Sequence, residues 1–157
     1  MPGWFPLVFF LAASYATSFV GGITTSLSVS DWYAALRKPT WTPPSWIFGP
    51  VWMFLYTAMA VAAWLVWRRV GWSTALWWWA AQLTLNALWS PVFFGLRRPD
   101  WALAVIVVLW VAIVITAATF WRIATTAGLL FMPYLAWVTF AAILNFTIWR
   151  LNADLVR

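Results

Sequence analysis

Charge punctuates this chain only at long intervals. The nine Lys and Arg residues and the three Asp residues fall at 31, 37, 38, 68, 69, 97, 98, 100, 122, 150, 154 and 157. Between them run five charge-free stretches, 1–30, 39–67, 70–96, 101–121 and 123–149. Each supplies the ~20 residues that a helix needs to cross ~30 Å of hydrocarbon. Backbone polar groups find no water in lipid, and the two-residue alternation of a barrel strand is missing, so the crossings must be helical. The pattern predicts helices near 5–26, 45–67, 74–96, 101–121 and 127–149. That is an all-α integral membrane bundle of five transmembrane helices, a single domain over 1–157, with a structured loop over 28–44. The first stretch lacks basic residues ahead of its apolar run and is too long for a secretory leader, so it reads as an uncleaved span.

Composition agrees. Apolar residues make up 66% and charged residues 8% of the chain, whereas a soluble domain carries about a quarter charged residues. The net charge of +6 comes from basic residues placed in ones and twos at segment ends. No basic face builds up for nucleic acid. Arg37, Lys38, Arg97, Arg98, Arg150 and Arg157 share one side, against Arg68, Arg69 and Arg122 on the other. The excess puts the 28–44 loop and the C-terminus in the cytoplasm and the N-terminus outside. The chain has no Cys or His, which removes thiol and imidazole catalysis and the common zinc and copper sites. No metal site and no required cofactor are expected.

The loop is the one connection long enough to have structure of its own. Ser30 or Asp31 can cap a short helix through Arg37, and Pro39 ends it. Pro43 and Pro44 lead into the next helix. With Arg37, Lys38, Pro39, Trp41, Pro43 and Pro44, the loop reads as a stiff lid, since prolines lower the entropy cost of ordering it.

Of seventeen tryptophans, most suit the headgroup boundary, the run Trp77 to Trp79 included. Trp52, Trp89, Trp110 and Trp137 sit too deep for that. Trp110 has no polar neighbour in sequence and reads as lipid-facing or core. Trp52, Tyr56 and Met59 form a stripe on the second span, Gln82, Asn86, Trp89 and Phe93 on the third, and Tyr134, Trp137, Ala141, Leu144 and Asn145 on the fifth. At ~1.5 Å per residue these stripes reach a common depth, roughly 5–18 Å below the lid. Amides and phenols are costly against lipid, so the stripes should face inward. The same residues also suit a plainer role, with the amides as interhelical glue and the rings as packing. Large rings meeting at one level leave space unless small residues compensate, and a pocket for a flat apolar ligand uses those ingredients. On span one, Ser14, Ser18, Gly21, Gly22 and Ser26 permit close approach, within the bundle or across a dimer seam. Pro91 and Pro133 should bend their helices.

Trp32-Tyr33, Lys38-Pro39, Trp41 with Pro43-Pro44, Gly49-Pro50-Val51-Trp52 with Leu55-Tyr56, Gln82 through Trp89, Phe93-Phe94-Gly95, Pro133 through Trp137 and Leu144-Asn145 to Trp149-Arg150 follow one another along nearly the whole chain. In this order they resemble the translocator protein or tryptophan-rich sensory protein (TSPO/MBR) family. The resemblance implies a five-helix bundle with a lid over a ligand pocket, usually as a homodimer in the lipid bilayer. It implies binding of porphyrins such as protoporphyrin IX and heme, of sterols in some members, and of benzodiazepine-type ligands. It places ligand contacts at Tyr33, Trp52, Asn86, Trp89, Phe93, Trp137, Ala141 and Leu144, to which the stripe adds Tyr56. Phe146 stands where the family's cholesterol motif has Tyr.

The function expected is that of a membrane receptor for tetrapyrroles, with a sensory or transport-related role. Without His or Cys, the usual axial ligands to heme iron are missing, so metal-free porphyrin should bind without a strong iron bond. The alternatives are light-dependent porphyrin degradation, for which the resemblance points to Trp52 and Trp137, and small-molecule transport. No carboxylate lies within a span, which argues against acid–base catalysis in the dark and against ion coupling.

Overall fold

The computed structural model describes residues 3–155, so Arg157 lies outside the described residues. Six α-helices form among the described residues: α1 (Phe5–Ser26), α2 (Ser45–Val70), α3 (Thr74–Ser90), α4 (Pro99–Ile123), α5 (Thr125–Leu130) and α6 (Met132–Leu151). Two π-helical turns, Val29–Tyr33 and Pro91–Gly95, join them, and no strand occurs among the described residues. Four helical stretches among the described residues are long and apolar enough to cross a membrane: Phe5–Ser26, Ser45–Val70, Pro99–Ile123 and Thr125–Leu151. The chain is an all-helical integral membrane protein.

The expectation of five unbroken helices is corrected at two prolines. Pro91 has no N–H to give to the preceding turn, so α3 stops after 17 residues, and the backbone widens into a π turn. Leu96 N–H closes that turn on the Pro91 carbonyl at 2.9 Å. Pro133 likewise cannot continue a helix from upstream and instead occupies the first turn of α6. The expected 127–149 helix is therefore two helices that meet at Phe131. Gly128 brings α5 close against the end of α4, since a Cβ there would lie 2.8 Å from Trp121 Cα. The first helix keeps its expected bounds, α2 runs on to Val70, and α4 extends past 101–121 at both ends.

Contacts at the two ends fix the arrangement. Away from the loop, Trp64 Nε1 donates to the Gly3 carbonyl at 3.0 Å and the Arg69 guanidinium to the Ile123 carbonyl at 2.6 Å. At the opposite end, the Ser28 hydroxyl donates to the Phe94 carbonyl at 2.9 Å, and Arg37 meets Asn152 at the end of α6. Helices α1 and α3 run side by side in one register. Phe10 packs edge-on against Trp79 at 5.2 Å, and an equal distance along both helices Gly21 faces Ser90.

The interior divides in two. The half away from the loop is solid, with Phe10, Met59, Ala60, Ala62, Ala63, Trp79, Phe120 and Phe131 in one buried cluster. A smaller cluster of Leu36, Val92, Phe93, Phe94, Leu144 and Ile148 lies at the loop end. Trp79 departs from the expected headgroup belt: Trp77 is 64% exposed but Trp79 only 2%, because its face of α3 meets α1.

Candidate functional site

Between the two clusters lies a cavity of about 430 Å³. All nine residues named from the sequence line it: Tyr33, Trp52, Tyr56, Asn86, Trp89, Phe93, Trp137, Ala141 and Leu144. Helical spacing brings them there from the loop, α2, α3 with its π turn, and α6.

Hydrogen bonds hold the polar members in place. Tyr56 donates to Asn86 Oδ1 at 2.6 Å, and Asn86 Nδ2 donates to the Tyr134 hydroxyl at 2.8 Å. Three helices are thus tied by one buried amide whose loss would strand two phenols. Trp52 stacks on Tyr56, with centroids 5.4 Å apart and planes at 28°. Trp89 stacks on Phe93 at 5.1 Å and 25°. Trp89 Nε1 donates to Asn145 Oδ1 at 3.1 Å, and Asn145 Nδ2 donates to the Pro99 carbonyl at 2.7 Å. The indole N–H is therefore satisfied from behind, and Trp89 lines the space with its ring. Such a wall suits a flat, largely apolar molecule.

The loop differs in detail from its expected form. It is helical from Val29 to Ala35, short of Arg37, and neither Ser30 nor Asp31 caps it. The N-cap position falls to Ser28, which makes no side-chain cap hydrogen bond because its hydroxyl donates to the Phe94 carbonyl. Only Val29 and Tyr33 from its first half touch the cavity; Arg37, Lys38, Pro39, Trp41, Pro43 and Pro44 do not. Trp41 instead packs on Phe140 at 5.8 Å. Lys38 directs Nζ to the carbonyls of Tyr33 at 2.7 Å and Leu36 at 3.0 Å. It lies 4.8 Å from the Tyr33 ring centre. Burial raises the Tyr33 pKa above its ordinary value, so the phenol stays protonated at neutral pH and can donate.

Sequence reasoning missed one wall. Ser18, Gly21, Gly22, Thr25 and Ser26 of α1 line the cavity, whereas their spacing suggested only close packing. Their lack of bulk was the available signal. Ser14 and Thr17 are buried, so much of the small face of α1 is used inside the bundle. Trp110 does have a polar partner, donating to Thr139 Oγ1 at 2.8 Å.

Comparison with known proteins identifies the family. The model of the TspO/MBR family matches residues 8–150. A tryptophan-rich sensory protein of Cereibacter sphaeroides is 44% identical over 149 residues, covering 95% of this chain and 92% of that one. Protein CrtK of Rhodobacter capsulatus is 39% identical over 153 residues, covering 92% and 91%. The human translocator protein is 38% identical over 156 residues, covering 96% and 92%. With the family's model matching residues 8–150 and relatives matched over more than nine-tenths of both chains, the chain belongs to the TspO/MBR family.

Proposed function

We propose that this protein is a membrane receptor that holds a tetrapyrrole, protoporphyrin IX or heme, in the cavity beneath the loop. The observation that carries the reading is the convergence of Trp52, Trp89, Phe93 and Trp137 on one cavity of about 430 Å³, a size within the usual range for small-molecule sites. The rings stack on the macrocycle, Tyr33 and Asn86 orient it, and Arg37, whose side chain is 69% exposed, pairs with a propionate at the mouth. In this reading α3 and its π turn make a fifth crossing, the loop end faces the cytoplasm, and the protein works in the bilayer as a homodimer.

Titrating purified protein with protoporphyrin IX and following the porphyrin Soret band tests the reading. Wild type should shift the band at a saturable stoichiometry. Replacing Trp52 and Trp137 together by Leu should weaken binding at least tenfold. An unchanged titration in the double variant would remove the site. A second reading, light-driven oxidative loss of bound porphyrin with dioxygen as oxidant, is favoured by Trp52 and Trp137 lining the same cavity. Illumination without any protein-dependent product would exclude it.

A further inference from the structure

Val29 and Tyr33 of the loop line the cavity, so what fastens the loop bears on access to it. The loop's first attachment is Ser28, which donates to the Phe94 carbonyl at 2.9 Å. Its second is Asn152, just beyond α6. Asn152 Oδ1 accepts from Arg37 N–H at 2.9 Å while Asn152 Nδ2 donates to the Arg37 carbonyl at 2.9 Å. One side-chain amide thus satisfies both backbone groups of a loop residue, as a neighbouring strand would. The same Nδ2 donates to the Ile148 carbonyl at 2.8 Å, which fixes the rotamer, and Asn152 is 0% exposed. Beyond Arg37 the loop's hydrogen bonds, among the described residues, turn inward on the loop itself, as in Thr42 to the Pro39 carbonyl at 2.8 Å.

The residue before Arg37 gives this contact its leverage. Leu36 is buried in the loop-end cluster with Phe93, Leu144 and Ile148, and Phe93, Leu144 and Ile148 also line the cavity. Releasing Arg37 frees Leu36 from the cavity's own wall. The nearby Arg37–Asp154 ion pair is a weaker fastener. Its atoms lie 3.7 Å apart with side chains 69% and 60% exposed, so water screens it.

We propose that Asn152 is a positioning residue that latches the loop over the cavity and sets how fast ligands are exchanged; its role in exchange rests on the binding reading above. Without the amide, both Arg37 backbone groups turn to water and the loop opens about Ser28.

The chain has no cysteine, which permits a test without ligand. Leu36→Cys places a thiol beneath the loop, and Ala127→Cys, at a 0% exposed position, places one in the solid half. Asn152→Ala should raise the rate of labelling by a water-soluble maleimide at position 36 about tenfold or more, and leave position 127 unchanged. Asn152→Asp keeps the acceptor for Arg37 N–H but loses the donor, and should fall between. Asp154→Ala should change labelling less than twofold. No change at position 36, an equal rise at both positions, or a tenfold effect of Asp154→Ala would each overturn the latch. With protoporphyrin IX, Asn152→Ala should speed association and dissociation alike and keep Kd within about threefold. Faster dissociation at unchanged association, which weakens affinity, would also overturn it. If wild type fails to bind the porphyrin, the binding reading falls while the thiol measurement still judges the latch.

Discussion

The two halves of this bundle spend the same kind of residue to opposite effect. Away from the loop, Phe10, Trp79, Phe120 and Phe131 share a cluster with Ala60, Ala62 and Ala63 of α2, each alanine 0% exposed. Toward the loop, Trp52, Trp89, Phe93 and Trp137 surround a cavity of about 430 Å³. Helix α2 passes through both halves, contributing alanines to one and Phe48, Trp52 and Tyr56 to the other. Where rings meet small residues at the same level, the interior closes at crystal-like density. Edge-to-face ring pairs occur in both halves, Phe10 with Trp79 and Phe120 with Phe131 away from the loop and Phe48 with Trp137 beside the cavity, but the buried alanines of α2 stand among the first two pairs only, and space is left around the third. Aromatic content alone does not decide between core and pocket; what stands opposite does.

Substitutions that break this contrast should differ sharply in cost. The largest effect is expected from Phe120→Ala in the solid half, where it should destabilise by about 3–5 kcal/mol through the cavity it leaves, read as a lowered thermal midpoint in detergent. Ala62→Leu should come next, at about 1–3 kcal/mol, because no space exists for the added carbons. Ala141→Leu is the same kind of enlargement made in the cavity wall. It should cost less than about 1 kcal/mol in stability, since the side chain enters open space, yet weaken porphyrin binding about tenfold in the Soret titration. If Ala141→Leu destabilises as much as Ala62→Leu, the halves are packed alike and the contrast fails.

Much of this was written in the order of residues. Twelve charges placed only at segment ends left helices as the sole way to satisfy the backbone in lipid. The stripes on α2, α3 and α6 followed from the 3.6-residue period, which holds wherever a helix continues. Reading went astray where that period is interrupted. Pro91 and Pro133 signalled bends, but a π turn and a helix break are both ways of accommodating a missing N–H, and neighbouring packing chooses between them.

What the sequence determined by itself was therefore the class, the membrane, the family and three faces of the cavity, because each rests on local spacing or on composition. Tertiary structure alone decided that α1 supplies a further wall, that Lys38 serves the loop backbone, and that Asn152 reaches Arg37 from 115 residues away. Those are relations between segments whose distance in space has no counterpart in their distance along the chain. A polar side chain near a helix end looks the same in sequence whether it faces water or holds another segment's backbone.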